Sequence, residues 1–236
     1  ARQRSGLRLV LTAGVPGPWG EAAKGLFFAK AIDYAAVRQE GGGENAALEA
    51  WTGYANAPQA LYEDEAARCG WREIIDLAER LAPEPALLPE DPSDREAVLE
   101  WVALLADENG LGWNRRSMLL QSGLSLPPEI LGKARRPLER LASRYGYSPE
   151  AASKAPARVA EILQLFAAQW QAQRARGRHY LVGQALSAAD IYWAAFAALL
   201  RPLPQDLCRM PETLPAPHAP TCPAARAPPA PTTAGR

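Results

Sequence analysis

The pattern of apolar and polar positions predicts both strands and helices in the first 81 residues. Residues 7–12 form a short apolar run that predicts a buried strand, whereas residues 71–81 place their apolar side chains on one face of a helix. Pro18 lies where a first helical residue tolerates proline, because that amide has no partner within the helix. The elements predicted in chain order are strand 7–12, helix 18–30, strand 32–38, helix 44–51, strand 59–63, short strand 66–68 and helix 71–81. Strands mixed with helices in this way favour a mixed sheet covered by helices.

Only helices are predicted beyond residues 82–92, a segment with four prolines that is typical of a semi-rigid linker. Ser93 and Glu96 are spaced as a capping box, which predicts the start of a long helix. Gly110 and Gly112 are predicted to interrupt this helix. A further helix is predicted over 129–145, with a kink or break at Pro137. Ser148 is predicted to cap another start, and a helix after Pro156 is predicted to run to Trp170. The second half of the chain is therefore predicted to be a helical bundle.

The most sharply specified helix start lies near the end of that bundle. Ser187 and Asp190 have the spacing of a capping box, and Leu186 and Ile191 flank them where a hydrophobic staple belongs. Every residue over 191–200 is apolar, aromatic residues included. A helix that is apolar all round is buried, and ten residues are too few to span a bilayer. This segment is predicted to be the central core helix.

The composition changes abruptly after Pro202. Ten of the 22 prolines fall in the last 35 residues, interleaved with Ala, Thr and Arg. Such a segment buries too little apolar surface to offset the entropy of ordering it, so disorder is predicted from about Thr213.

Charge and cysteine content exclude several classes of function. The chain carries 26 basic and 26 acidic residues, so no net field draws it to nucleic acid or to an anionic membrane. The three cysteines are scattered and never form a Cys-x-x-Cys pair, which argues against a disulfide framework or a zinc site and for a reducing compartment. No apolar run has the length of a signal peptide core or of a transmembrane helix. We therefore expect a cytoplasmic protein with no metal site.

One family matches both ends of this pattern. The lead-in Leu181-Val182-Gly183, followed by the box of Ser187 and Asp190 and a buried helix, resembles the second domain of the glutathione S-transferase superfamily. The order of elements in the first half is that of the thioredoxin-like domain of the same superfamily. The resemblance covers roughly residues 7–200. It implies a thioredoxin-like, glutathione-binding domain at 1–81, a linker at 82–92, an all-helical domain at 93–209 and a disordered tail at 210–236, with a homodimer as the family's usual assembly.

The resemblance also implies where glutathione would bind. In the family, a Tyr, Ser or Cys in the turn after the first strand stabilises or replaces the glutathione thiolate, at a helix N-terminus where the dipole and unpaired amides favour an anion. Here that turn contains Gly17, Pro18 and Trp19, and both positions that carry the functional side chain, 17 and 20, are glycine. Thr12 is the nearest hydroxyl and is assigned to the end of the strand. The catalytic residue is therefore unknown. The favoured interpretation of the turn is a plain helix start, and the alternative is catalysis by the helix dipole and backbone amides alone.

Two further segments are assigned to glutathione by the resemblance. Ala57-Pro58 precedes the third strand, and the family has a cis proline there whose preceding residue pairs through its backbone with the cysteinyl part of glutathione. The acid-Ser pair that holds the γ-glutamyl end is replaced by Arg68 and Cys69. Backbone amides at a helix start could still hold a carboxylate. The alternative interpretations are a solvated arginine and a small buried cysteine.

A second-substrate site is assigned to the helical half. Trp113 and Arg116 follow the glycine break, near where the family binds a hydrophobic electrophile. The alternative is a surface aromatic residue with solvated charges.

Two functions from different classes follow from these assignments. The first is an enzyme that joins glutathione, as co-substrate, to a small hydrophobic electrophile. The second is a binding or scaffold protein on the same fold that lacks the thiolate-stabilising side chain, which the two glycines favour. A thiol oxidoreductase is disfavoured because the turn has no cysteine pair.

Overall fold

The computed structural model describes residues 5–204 and 206–208. A three-stranded sheet forms from β1 (Leu7–Thr12), β2 (Ala35–Gln39) and β3 (Gln59–Tyr62), in the order β2-β1-β3. β1 runs parallel to β2 and antiparallel to β3. The helices of this half are α1 (Pro18–Ala29), α2 (Ala46–Thr52) and α3 (Trp71–Leu81). All the predicted elements up to residue 81 are therefore present except the short strand over 66–68, which contributes one antiparallel bridge from Arg68 to Ala60.

The sequence placed the start of β2 three residues too early, at residue 32. The backbone N–H of Ile32 bonds back to the carbonyl of Phe27 at 2.9 Å, and Ala31 has a φ of 51°. These contacts close the end of α1, so the amide of Ile32 is used there and does not pair in the sheet.

The second half is helical. Its helices are α4 (Pro92–Ala106), α5 (Leu111–Leu124), α6 (Pro128–Leu131), α7 (Arg135–Arg144), α8 (Pro149–Ala175) and α9 (Ala188–Ala197), with a 3₁₀ turn at Gly132–Ala134 between α6 and α7. The predicted interruption near Gly110 separates α4 from α5. None of the helices in the described part of the chain is long and apolar enough to cross a membrane. The predicted tail lies outside the described residues, and the domain boundaries stay a prediction.

Three predictions about helix starts and breaks were wrong. The cap of α4 is Asp91, whose carboxylate accepts from the Asp94 N–H at 2.9 Å, because Pro92 already occupies the first helical position and Ser93 lies inside the helix. The break after α6 falls at Gly132 (φ 48°) and not at Pro137, which lies in the first turn of α7 where proline is tolerated. Pro156 lies inside α8, which is continuous from the cap at Ser148.

One apolar core joins the two halves, and α9 lies at its centre. Phe27 of α1, Phe166 of α8 and Phe196 of α9 are all fully or almost fully buried in it. α9 packs against both α1 and α4, as predicted for the core helix. The prediction that it is buried all round is wrong, because only Tyr192 and Phe196 are buried over 191–200 and Ala194 is exposed. α9 ends at Ala197, three residues earlier than predicted.

The predicted box at the start of α9 is present. The Asp190 carboxylate accepts from the backbone N–H of Ser187 at 2.9 Å and from its hydroxyl at 2.7 Å. Its other oxygen accepts from the N–H of Leu181 at 2.8 Å, so one side chain also fixes the loop before the helix. The hydrophobic staple would be a contact between Leu186 and Ile191. Ile191 packs over Gly25 of α1 and Leu186 is exposed, so the staple stays a prediction.

We expect Asp190→Ala to lower the free energy of unfolding by about 3 kcal/mol, because it leaves the backbone amides of two buried residues without their acceptor. The matched control is Asp91→Ala, which removes a single exposed cap bond and should cost about 1 kcal/mol. Urea denaturation measures both. Equal losses in the two variants would contradict the central role given to Asp190.

Candidate functional site

The turn after β1 delivers Gly17 to the start of α1. Gly17 is the N-cap, with extended backbone (φ −67°, ψ 134°), and its carbonyl accepts from the N–H of Glu21 at 2.9 Å. A Cβ built at Gly17 would meet no atom within 4 Å, whereas one at Gly20 would lie 3.3 Å from the Leu11 side chain. Position 17 therefore has room for a side chain, and position 20 is against the core.

The hydroxyl of Thr12 is already engaged. It donates to the Gln39 side-chain oxygen at 2.8 Å, between the ends of β1 and β2. Thr12 lies inside the strand end, as predicted, and the turn has no side-chain hydroxyl or thiol of its own. Pro18 has no N–H, so the donors left at the start of α1 are the backbone amides of Trp19 and Gly20.

Trp19 connects the two halves. Its indole N–H donates to the carbonyl of Ala106 at 2.9 Å, and its ring meets that of Phe196 edge-on with centroids 5.0 Å apart. A Cβ at Gly112 would come within 2.6 Å of the Trp19 ring, so glycine is what lets α5 approach this closely. The side chain of Trp19 thus packs across the interface, and glutathione could meet only its backbone or its exposed edge.

The Ala57–Pro58 bond is cis, as the resemblance implied. Since Val10 pairs with Gln59, the residues just before β3 lie beside the end of β1 and its turn. Two buried glutamines hold this loop. Gln59 donates to the carbonyls of Tyr54 at 3.1 Å and Asn56 at 2.6 Å, and Gln39 donates to the carbonyl of Ala55 at 3.2 Å.

Sequence reasoning missed both glutamines, although a glutamine at each of two strand ends was a usable signal. Their side chains order this loop. The backbone amide and carbonyl of Ala57, the residue before Pro58, have no hydrogen-bond partner among the described residues. An ordered, unpaired backbone unit at a sheet edge is suited to bind a peptide-like ligand.

Arg68 is held by an ion pair. Its guanidinium contacts Glu65, which also accepts from Arg80 at 2.7 and 2.8 Å. These two arginines, Arg80 first, lower the pKa of the Glu65 carboxyl. Arg68 is therefore ion-paired and only partly exposed, which differs from the solvated arginine of the alternative, and its binding role stays a prediction.

The start of α3 carries its own carboxylate. Glu73 accepts from the N–H of Cys69 at 3.1 Å and from that of Gly70 at 3.0 Å, so these two amides just before the helix are already bonded. The amides of Trp71 and Arg72, in its first turn, have no acceptor among the described residues. Burial, with a smaller contribution from Glu73, raises the pKa of the Cys69 thiol to about 12. Cys69 is therefore a neutral thiol at ordinary pH.

Trp113 and Arg116 meet Trp19 in an aromatic cluster. The guanidinium carbon of Arg116 lies 4.3 Å from the Trp19 ring centroid, 5.1 Å from that of Trp113 and 3.9 Å from that of Tyr145. Burial lowers the pKa of Arg116, and Tyr145 opposes this shift. The prediction of a solvated surface charge is wrong for Arg116, because three elements enclose it. Tyr145 could not be found from the sequence.

α7 reaches from the helical half to the loop between β2 and α2. Arg144 donates to the carbonyl of Gly43 at 3.0 Å, and Arg140 lies 3.7 Å from the carboxylate of Glu44. α7 is thus tied to the loop between β2 and α2 in the other half of the chain.

A cavity of about 670 Å³ lies elsewhere, between the end of α2 and the turn after β3, with Trp51, Tyr54 and Glu63 in its lining. It includes none of the predicted site residues. Within the described part of the chain, no three His, Cys, Asp or Glu side chains gather in a way that could hold a metal ion.

No family model matches this sequence, and no curated protein matches it either. Solved structures match most of the chain. A glutathione S-transferase from Rhodospirillum rubrum is 21% identical, with a TM-score of 0.60, over 85% of this chain and 81% of its own. One from Methylobacterium radiotolerans, in complex with glutathione sulfonate, is 16% identical, with a TM-score of 0.61, over 83% and 79%. The beta-etherase LigF from a Sphingobium strain is 16% identical, with a TM-score of 0.62, over 85% and 89%.

These similarities establish the class of the fold. The chain has the glutathione S-transferase fold, a thioredoxin-like α+β domain followed by an all-helical domain. The fold that the resemblance in the sequence implied is therefore confirmed.

We expect Cys69 to resist alkylation in the folded protein. A thiol with a pKa near 12 is almost wholly protonated at pH 8, so iodoacetamide should modify it at least about a hundredfold more slowly than in urea, where the usual pKa of about 8.5 returns. A Cys208→Ser, Cys222→Ser variant isolates Cys69, and mass spectrometry follows the reaction. Equal rates in the folded and unfolded protein would show that Cys69 is reactive.

Proposed function

We propose that this chain binds glutathione in the cleft between the start of α1 and the loop before β3, and transfers it to a hydrophobic electrophile. The observation that carries the proposal is the ordered backbone of Ala57, which has no hydrogen-bond partner among the described residues and lies beside the turn of Gly17. Glutathione is a peptide, and a free amide and carbonyl at a sheet edge suit its cysteinyl unit.

Several structures of the same fold carry glutathione or its sulfonate. The transferase from Methylobacterium radiotolerans holds glutathione sulfonate, one from Methylobacillus flagellatus has glutathione bound, and Ure2p is in complex with glutathione. They support glutathione as the ligand to test first. Cytoplasmic location and a homodimer remain proposals that the family resemblance suggests.

The chemistry would depend on the backbone of α1. The sulfur would lie near the amides of Trp19 and Gly20, where the helix dipole lowers the pKa of a thiol. The thiolate would attack the electrophilic carbon, a carbon–sulfur bond would form, and the leaving group would depart with its bonding electrons. Proton transfer from the thiol would go to solvent, since neither position 17 nor 20 has a side chain to accept it.

A second candidate, a non-catalytic binding or scaffold protein, also has specific support. Positions 17 and 20 provide no hydroxyl or thiol, and Glu73 already bonds the amides of Cys69 and Gly70, just before α3. Affinity for glutathione would then come mainly from the loop of Ala57.

Calorimetry with glutathione tests binding on the full chain. We expect micromolar to millimolar affinity that Gln39→Ala weakens about tenfold, because this variant releases the loop of Ala55. Gln173→Ala is the matched control, since this buried glutamine also holds a loop, by donating to the carbonyl of Tyr180 at 2.8 Å in the helical half, and should leave affinity unchanged. No heat at millimolar glutathione, with the protein folded, would overturn the proposal.

Gly17→Ser separates the two candidates. Position 17 has room for a side chain at the start of α1, so a hydroxyl there could stabilise the thiolate. For the enzyme we expect the rate of conjugation to 1-chloro-2,4-dinitrobenzene to rise by about tenfold or more, which is modest for a single added donor. Gly17→Ala supplies the same backbone without the hydroxyl. Glutathione binding with no gain in rate would favour the scaffold protein.

A further inference from the structure

The cation of Arg116 is enclosed by rings from three separate elements. Trp19 comes from α1, Trp113 from α5 and Tyr145 from the residue after α7, and all three ring centroids lie within 5.1 Å of the guanidinium carbon. Trp113 also meets Tyr145 edge-on at 5.7 Å. Electrostatic attraction to ring faces stabilises a cation that has been taken out of water.

Arg116 nevertheless has no counter-charge. Among residues 5–204 and 206–208, no carboxylate lies within ion-pair distance of it, and no acceptor takes a hydrogen bond from it. Other arginines of the helical half are paired, for example Arg135 with Glu139 at 2.7 Å and Arg158 with Glu161 at 2.8 Å. A desolvated charge without an opposite charge is unfavourable, and ring contacts offset only part of that cost.

The geometry of a guanidinium leaves its donors available. A ring parallel to it uses the flat face, whereas its five N–H groups point outward in the plane. Trp113 and Tyr145 lie at 84° to each other, so at least one of them is not parallel to the guanidinium, and the N–H groups of Arg116 have no acceptor among the described residues. The neighbouring Arg115 differs, because it is buried and donates to the carbonyl of Leu199 at 3.3 Å. The Nε of Arg115 has no partner either, but it is buried, whereas Arg116 is only partly buried, so Arg116 is the one of the two that a ligand could reach.

The position of this cation relates it to the candidate site. Trp19 is two residues from Gly17, so Arg116 lies next to the start of α1 on the side of the helical half. Arg144, which precedes Tyr145, is anchored to the carbonyl of Gly43 on the β2–α2 loop. The cage is thus held from both halves of the chain.

We propose that Arg116 receives an anionic group, a carboxylate or a sulfonate, on an aromatic second substrate, so that the cleft selects negatively charged aromatic electrophiles. The role of that molecule as a co-substrate rests on the proposed glutathione transfer. Trp113 and Tyr145, which are partly exposed, pack against the apolar part of the ligand, and N–H groups of Arg116 bind the anion with two parallel hydrogen bonds.

A test substrate follows from this chemistry. In 4-chloro-3,5-dinitrobenzoate, the glutathione thiolate attacks the carbon that bears chlorine, a carbon–sulfur bond forms and chloride leaves with the electron pair. The thiol proton goes to solvent, and no oxidant or reductant is needed. 1-Chloro-2,4-dinitrobenzene undergoes the same substitution without the carboxylate, so the pair isolates the effect of the charge.

The first arm of the experiment measures binding without glutathione. Calorimetry compares 3,5-dinitrobenzoate with neutral 1,3-dinitrobenzene on the full chain. We expect Arg116→Gln to weaken binding of the benzoate by about tenfold or more while binding of the neutral compound stays within about twofold. Arg116→Lys should keep part of the benzoate affinity, and Arg136→Gln, which removes an exposed charge from α7, should change neither.

The second arm measures kcat/KM for the two chlorinated substrates. Arg116→Gln should lower the value for the benzoate substrate by about the same tenfold factor and leave the neutral substrate nearly unchanged. An equal loss of affinity for both ligands would show that Arg116 only supports the fold, and no loss for either would overturn the proposal.

Glutathione titrations of the same variants keep the two proposals separate. If Arg116→Gln weakens binding of glutathione itself, the cation holds a glutathione carboxylate and the selection of an anionic electrophile is wrong. If glutathione does not bind at all while the benzoate binds through Arg116, the transfer function fails and the anion site remains.

Discussion

The carboxylate of Asp190 is the contact on which the arrangement of this protein depends. It binds the amides of Leu181 and Ser187, so it fixes both the loop that leads to α9 and the direction in which that helix enters the core. α9 then brings Phe196 against Trp19, at the start of α1. A local bond in the helical half thereby sets the position of the turn that contains Gly17, in the other half. Backbone amides in a buried loop need acceptors, and one side chain supplies two of them.

The two ends of the candidate cleft are built differently. At the loop before β3, buried glutamine side chains order the chain and leave the backbone of Ala57 unpaired among the described residues. Just before α3, the carboxylate of Glu73 takes two backbone amides, those of Cys69 and Gly70. A peptide ligand would therefore gain most of its polar contacts from the sheet edge and from α1. Binding strength and chemical activity would then depend on different residues.

Local patterns predicted much of this fold and little of the site's chemistry. The spacing of Ser187 and Asp190 predicted their bond because a capping box involves residues three apart. The start of β2 was missed because the amide of Ile32 bonds within the end of α1, a choice that apolar composition does not reveal. The position of Pro137 was misjudged because helix length alone did not show that a new helix begins at Arg135.

The contacts of Arg116 lay beyond any local pattern. Trp19 is 97 residues away in sequence and Tyr145 is 29 away, so their meeting on one guanidinium requires the whole packing of α1, α5 and α7. The same holds for Gln39, whose side chain acts across the sheet.

The open space at Gly17 has a consequence for how such a protein evolves. Glycine codons that end in a pyrimidine become serine or cysteine codons by one base substitution, and the backbone here would accept either side chain without a clash at Cβ. From such a codon, one mutation at position 17 would supply either a serine hydroxyl or a cysteine thiol at the start of α1. Gly20 differs, because a Cβ there would press on the Leu11 side chain. The same substitutions are therefore accommodated at position 17 and disfavoured at position 20.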